Sequence, residues 1–290
     1  MKLYYAVGGG LGHLSRAIAF IHTRPDLNID NTIVMLADRD IYQMEQAAFM
    51  EEKWRALRIA PIPLSFFKRF EKLSAYLKNW VNDNVPDQIY LDTFPEGIMG
   101  EWNFEISKPA QLHYVGRYLN WPNYQQPVFK SFDTLYKVDD WHPEQQSYLP
   151  LLSPNTVEVK LQYPEAKVPG GILTQFQQWK EEGKDIWLVV HSEPAEEVEA
   201  LLHYARDVAK AEQTSPVFVL CSQSKVDDKQ LDLHLSLFPA YGLFVHVDKI
   251  VTAGGFNLMQ QAKHFRDKHR CMPFPRRFDD QFMRVRIWKA

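Results

Sequence analysis

Cysteine is nearly absent from this sequence. Only Cys221 and Cys271 occur, with no CxxC spacing and no histidine at metal-ligand spacing beside either. That excludes a disulfide framework and a zinc-finger type of site, and reads as two buried free thiols in a reducing compartment. Long apolar runs are missing too. The opening MKLYYAVGGGLGH has one lysine and a short apolar stretch that breaks into glycines, so neither a signal peptide nor a transmembrane segment is predicted, and no later run reaches spanning length. A cytoplasmic protein is expected. Charge of one sign is not in excess: 33 basic and 36 acidic side chains leave a net charge of −3, without the basic footprint that nucleic-acid binding requires. No nucleic-acid partner is predicted.

What is present suits a globular protein. A hydrophobic fraction of 46% supplies a core, and a length of 290 residues divides naturally into two domains. Residues 2–7 (KLYYAV) read as a buried strand that runs into Gly8, Gly9, Gly10 and Gly12, followed by a helix from Leu11 to Thr23 with Leu14, Ala17, Ile18 and Ile21 at helical spacing. TIVMLA (32–37) is a second strand, leading through Asp38 into a helix over 39–49. IYLD (89–92), LHYVG (112–116) and TLYKV (134–138) are further strands. Between them, 66–81 reads as an amphipathic helix that packs on the core through Phe66, Phe70, Leu73 and Leu77. Lys68, Arg69, Lys72 and Lys78 give it a second reading as a basic, aromatic surface in peripheral contact with a membrane.

QYPEAKVPGG (162–171) interrupts the pattern with two prolines and two glycines and marks a linker. The expected division is therefore an N-terminal domain over 1–163, a linker over 164–171 and a C-terminal domain over 172–290. In the second half IWLVVH (186–191), PVFVLCS (216–222) and KIVTA (249–253) read as strands. Helices are expected over 195–212, from Asn257 to Arg266 and from Asp279, with a helix or turn near 239–245. Alternation of this kind predicts an α/β protein of two Rossmann-like domains with mostly parallel sheets facing each other across a cleft.

Three constellations carry chemistry. GGGLGH (8–13) lies outside the carboxyl end of the first strand, where glycine admits close approach and the following helix offers free N–H groups to a phosphate or oxyanion. It is not a dinucleotide fingerprint, because His13 stands where a third glycine is needed, and it lacks the G-K-[ST] of a P-loop. His13 itself, at a helix N-terminus that disfavours imidazolium, is the first candidate for a general base. Asp92 is the second. In VTAGGFNLMQQA (251–262) the turn at Gly254 and Gly255 leads into a helix whose start suits a diphosphate, with Asn257 in the first turn and Gln260 and Gln261 within reach of sugar hydroxyls. PFPRRFDDQ (273–281) offers Arg276 and Arg277 to phosphate charge and Asp280 and Gln281 to hydroxyls; Asp279 reads as a helix cap. Gly9, Gly10, Gly12, Glu96, His191 and Ser192 complete the substrate-binding candidates, and Glu101 lies near Asp92 in the chain. Asp38-Arg39-Asp40 spells DxD, but at a strand-to-helix junction it reads as capping.

GGGLGH with Leu14, Ser15 and Arg16, then VTAGGFN with its helix, then a Pro-rich loop ending in DDQ resembles the GT-B glycosyltransferases, in pattern most like the lipid II-forming UDP-N-acetylglucosamine transferase of peptidoglycan synthesis and its relatives. The resemblance implies that the first glycine loop faces the acceptor and diphosphate and that the C-terminal loops hold the donor nucleotide. Gly255 would open the donor-binding helix and Gln281 contact the donor. It implies inverting, metal-independent transfer of a hexose or N-acetylhexosamine from a UDP-sugar to a saccharide or lipid-linked acceptor of the cell envelope, with no cofactor beyond that co-substrate. Gln261 stands where the family carries a ribose-binding glutamate, and the family's chains usually continue past the helix after Gln281. Two alternatives stand beside this reading. Gly10, Gly12, His13 and Arg16 also fit the G-x-G-H-x-x-R of a UDP-sugar hydrolase, in which His13 would activate water, and Gln261 suits a non-catalytic nucleotide-sugar-binding protein.

Overall fold

A computed structural model describes residues 1–7, 11–38, 54, 56–128, 130–192 and 194–289. Within them the chain forms two compact units, one of residues up to Pro164 together with Arg277–Asp280, the other of Glu165–Arg276 together with the residues from Gln281. The predicted helix 39–49 lies outside the described residues.

The first unit is built on a seven-stranded sheet: β1 (Lys2–Tyr5), β2 (Thr32–Ala37), β3 (Arg58–Ile62), β4 (Gln88–Asp92), β5 (Gln111–Gly116), β6 (Thr134–Lys137) and β7 (Thr156–Glu158), in the order β3-β2-β1-β4-β5-β6-β7. Every pairing is parallel. Central strands of such a sheet are covered on both faces, which is why β2 is buried at all six positions and reads as an unbroken apolar run. On one face Leu3, Ile33 and Ile89 meet across three strands and pack with Leu73, Leu77 and Val81 of α2 (Phe70–Asn84). Burying each of those α2 side chains contributes about 1.5–3 kcal/mol. On the other face Phe20 of α1 (Gly12–Thr23) lies 5.7 Å from the Tyr4 ring and 5.3 Å from Tyr136.

The helix expected over 66–81 begins later. Leu64–Lys68 form a 3-10 turn and Arg69 is extended before α2 starts, an arrangement that lets Phe66 and Phe67 both reach the core. Leu64 and Phe70 stay exposed at 47% and 40%. No helix among the described residues is long and apolar enough to cross a membrane. A short helix, α3 (Pro143–Tyr148), follows β6.

The second unit has a five-stranded sheet of β8 (Ile186–Val190), β9 (Val217–Cys221), β10 (Leu233–Leu235), β11 (Lys249–Ala253) and β12 (His269–Met272), ordered β10-β9-β8-β11-β12 and again parallel throughout. Its helices are α4 (Gly170–Glu181), α5 (Ala195–Ala211), α6 (Phe256–Gln261) and α7 (Gln281–Lys289). Gly170 and Gly171, read from sequence as the end of a linker, are the first residues of α4. The single helix expected over 257–266 is α6 followed by a 3-10 segment, Lys263–Lys268, with Phe265 off helical geometry at φ −122°. Phe265 there packs on the core and meets Phe244 edge-on.

Candidate functional site

A doubly wound sheet places ligands at its switch point, outside the carboxyl ends of the strands where the winding reverses. In the first sheet that point falls between β1 and β4, and in the second between β8 and β11.

At the first switch point α1 presents His13 and, one turn on, Arg16 to Asp92, the last residue of β4. His13 Nδ1 lies 2.6 Å from Asp92 Oδ2. Arg16 donates from Nε to Oδ1 at 2.6 Å and from Nη2 to Oδ2 at 2.5 Å, and Nη2 also donates to Thr93 Oγ1 at 2.6 Å. Tyr4 adds a hydroxyl at 3.2 Å from Oδ1. The three main partners are buried, with His13 8% exposed and Arg16 and Asp92 1% each. Burial alone would raise the Asp92 carboxyl, but the Arg16 guanidinium and the His13 hydrogen bond carry it well below the usual carboxylate range. An ionised carboxylate only accepts, so the proton sits on His13 Nδ1 and the lone pair on Nε2. Burial, with the charge of Arg16 and Arg117, lowers the His13 pKa to about 4 even against the pull of Asp92. The ring is therefore neutral near pH 7.

Surrounding residues hold this arrangement. Phe94 stacks on His13 with centroids 6.0 Å apart, and Phe278 meets Phe94 edge-on at 5.3 Å. Thr93 takes φ +66°, rare for a β-branched residue, and is held there by its N–H to Val115 O at 2.9 Å and by the Tyr114 hydroxyl on its carbonyl at 2.7 Å. Arg117, just beyond β5, pairs with Asp279 at 3.1 Å. Glu96 is buried beside Lys130, whose ammonium lies 3.3 Å from Oε2. Glu101 accepts from Tyr5 Oη at 2.6 Å and from the Met99 N–H at 2.8 Å, so it braces the loop after β4 from within. Gly12 opens α1; Gly9 and Gly10 lie outside the described residues.

At the second switch point His191 follows β8. Its Nε2 is 2.8 Å from Glu197 Oε2 in the first turn of α5, and Arg276 grips the same carboxylate with both Nη atoms, Nη1 to Oε1 at 2.6 Å. Phe274 stacks on His191 at 5.7 Å. The carbonyl of Ser192 accepts from Ser222 Oγ at 3.3 Å and Ser224 Oγ at 3.1 Å. Gly254 is tightly packed, since a Cβ there would stand 2.7 Å from Val285 Cγ2, whereas a Cβ on Gly255 would meet nothing within 4 Å. Gly255 caps α6, Asn257 lies in that helix's first turn and Gln261 at its end. Gln281 is buried, and its Oε1 accepts from the Phe274 N–H at 3.0 Å, which fixes the Pro-rich loop. Arg277 and Asp280 fall in the segment belonging to the first unit, where the Arg277 guanidinium lies 4.8 Å from the Phe278 ring.

Of the residues singled out in the sequence, His13 and Asp92 form one pair, and His191 and Arg276 meet through Glu197. Glu197 and Arg117 escaped the sequence reading. An acidic residue in a helix's first turn looks like a dipole partner, and an arginine after a strand carries no motif. Among the described residues no three His, Cys, Asp or Glu side chains are placed to hold a metal ion. Asp38 is exposed, and Asp40 lies outside the described residues.

Two doubly wound parallel sheets in one chain define an α/β protein of the GT-B type. Solved structures agree. The spinosyn forosaminyltransferase SpnP matches over 99% of this chain and 82% of its own, with TM-score 0.58 and 11% identity. The glycosyltransferase SnogD from Streptomyces nogalater matches over 97% and 82%, with TM-score 0.50 and 13% identity. The UDP-GlcNAc 2-epimerase from Neisseria meningitidis, solved with UDP-GlcNAc bound, matches over 99% and 85%, with TM-score 0.53 and 10% identity. At such identities the likeness is one of fold. No protein-family model and no curated protein matches the sequence.

Proposed function

We propose that this chain is a metal-independent glycosyltransferase that moves a hexose or N-acetylhexosamine from a UDP-sugar to a hydroxyl of a saccharide or lipid-linked acceptor, with inversion. The observation that carries this reading is the buried His13–Asp92 pair at a switch point. His13 Nε2 has no hydrogen bond among the described residues while Nδ1 is held by the carboxylate, so the ring is aimed and tautomerised as a general base. As the acceptor hydroxyl attacks the anomeric carbon, Nε2 takes its proton, the bond to the diphosphate breaks, and UDP leaves. Asp92 stabilises the imidazolium that forms. The turn at Gly255 suits the diphosphate of the donor, and Arg276 and His191 would reach it only by exchanging Glu197 for phosphate oxygens. Support also comes from the fold shared with transferases and with a 2-epimerase solved with UDP-GlcNAc.

The test is a thermal-shift panel of nucleoside diphosphates and nucleotide-sugars, followed by product analysis on the hits. Stabilisation by UDP and acceptor-dependent UDP release are expected. Absence of stabilisation by any nucleoside diphosphate at millimolar concentration would sink the reading. Full-rate release of free sugar without acceptor would instead make His13 a water-activating base, and conversion of UDP-GlcNAc to its C2 epimer would replace transfer by epimerisation.

A further inference from the structure

At the amino end of β12, opposite the end that leads to Phe274 and Arg276, lies a recess of about 360 Å³ lined by Arg266, His269, Arg270, Cys271, Trp288 and Lys289. Three of these are cations and none is a carboxylate. Arg270 also lies 3.6 Å from Glu212, which pairs in addition with Lys249. Burial pushes the Cys271 thiol up, so it contributes no negative charge.

Two polar atoms here are unsatisfied. His269 is 4% exposed, and its Nε2 lies 2.8 Å from Thr252 Oγ1. Among the described residues, His269 Nδ1 and Trp288 Nε1 are both buried without a hydrogen-bond partner. An unmet buried polar group costs about 1–3 kcal/mol, and such groups ordinarily have a partner. The two rings are also held firmly. His269 meets Trp288 edge-on at 5.4 Å, and Arg266 lies over the indole while donating to the Trp288 carbonyl. Thr252 Oγ1 now donates to Ala253 O at 2.8 Å. Turned onto His269 Nε2, the same hydroxyl leaves Nδ1 as an N–H donor. Two N–H donors among three cations are complementary to an oxyanion.

We propose that this recess binds a phosphoryl group, either inorganic phosphate or the phosphate of a phosphomonoester, as a second site separate from the His191–Glu197–Arg276 cluster. Arg266, Arg270 and Lys289 supply charge, and His269 and Trp288, which line the recess, carry the unmet N–H groups.

The experiment is calorimetric titration of the full chain with inorganic phosphate, with a hexose phosphate and with UDP. It is paired with the Trp288 indole N–H resonance, assigned by its loss in Trp288→Phe. Saturable binding with a Kd of about 1 mM or tighter is expected, with a shift of that resonance. Tighter binding of the hexose phosphate would name a phosphomonoester as the ligand, and equal binding the free ion. Arg266→Ala with Lys289→Ala changes two exposed side chains, and should weaken phosphate at least about tenfold, the loss of one charge-assisted bond or more, while leaving the UDP response unchanged. No saturable phosphate binding, phosphate binding unaltered in the double variant, or joint loss of phosphate and UDP binding would each overturn the proposal.

Discussion

Replacing Asp92 by Asn tests the buried cluster most directly. The carboxylate receives two bonds from Arg16, one from His13 and one from Tyr4. An amide of the same shape carries no charge and turns one acceptor into a donor that faces other donors. Arg16, 1% exposed, is then a buried cation without a counter-charge. Breaking a buried pair in this way costs about 3–5 kcal/mol. Arg16→Met should cost a comparable amount, because it leaves the carboxylate without its main cation. The double variant leaves neither charge stranded, and its loss should fall short of the sum of the two singles by roughly 2 kcal/mol, within the range for directly coupled residues. Urea unfolding followed through midpoint and slope measures this cycle. Additivity within about 0.5 kcal/mol, the behaviour of independent sites, would refute the coupling of Asp92 to Arg16.

Other expectations follow from the same geometry. His13→Ala should lower turnover about 10²–10⁴-fold, the usual contribution of a general base, with little change in donor binding; unchanged turnover in a steady-state assay would remove His13 from that role. Because the His13 pKa is lowered to about 4, the rate should stay flat from neutral pH downward and fall only as pH drops through about 4. An acid limb near the ordinary histidine value of about 6.5 would contradict the burial. His113 is 4% exposed, neither ring nitrogen has a hydrogen-bond partner among the described residues, and burial lowers its pKa to about 4. Between that value and the unfolded value of about 6.5 the unfolded chain binds the extra proton, so stability is lost as pH falls through this window. His113→Phe should therefore shrink the loss of melting temperature over it, as scanning calorimetry at several pH values would report. Gly254→Ala should destabilise by about 1–3 kcal/mol through overpacking against Val285. Gly255→Trp should fold normally yet lose any UDP-induced shift, and a stable Gly254→Ala would show that α7 yields.

The strands legible in the sequence are the central ones. β1, β2, β4, β8, β9 and β11 are covered on both faces and read as apolar runs with glycine or polar breaks after them. The four that escaped, β3, β7, β10 and β12, are the edge strands of the two sheets. β3 contains Pro61, which the sheet's end tolerates because one side of an edge strand needs no donor. β7 is exposed at all three residues, and β10 has only three residues. An edge strand lacks the second buried face that makes a strand conspicuous.

Of the candidate site, the histidine in the first turn of α1 and the βα alternation were legible in the sequence, because these are local: a strand and the helix after it are encoded within some twenty residues, and helical spacing alone puts His13 and Arg16 on one face. Pairing, by contrast, is a matter of the fold. Asp92 stands 79 residues from His13, and Arg276 stands 79 from Glu197. They meet because a parallel sheet brings the carboxyl ends of strands distant in sequence to one edge. His13 and Asp92, read from sequence as rival bases, are there a single unit, one aiming the other.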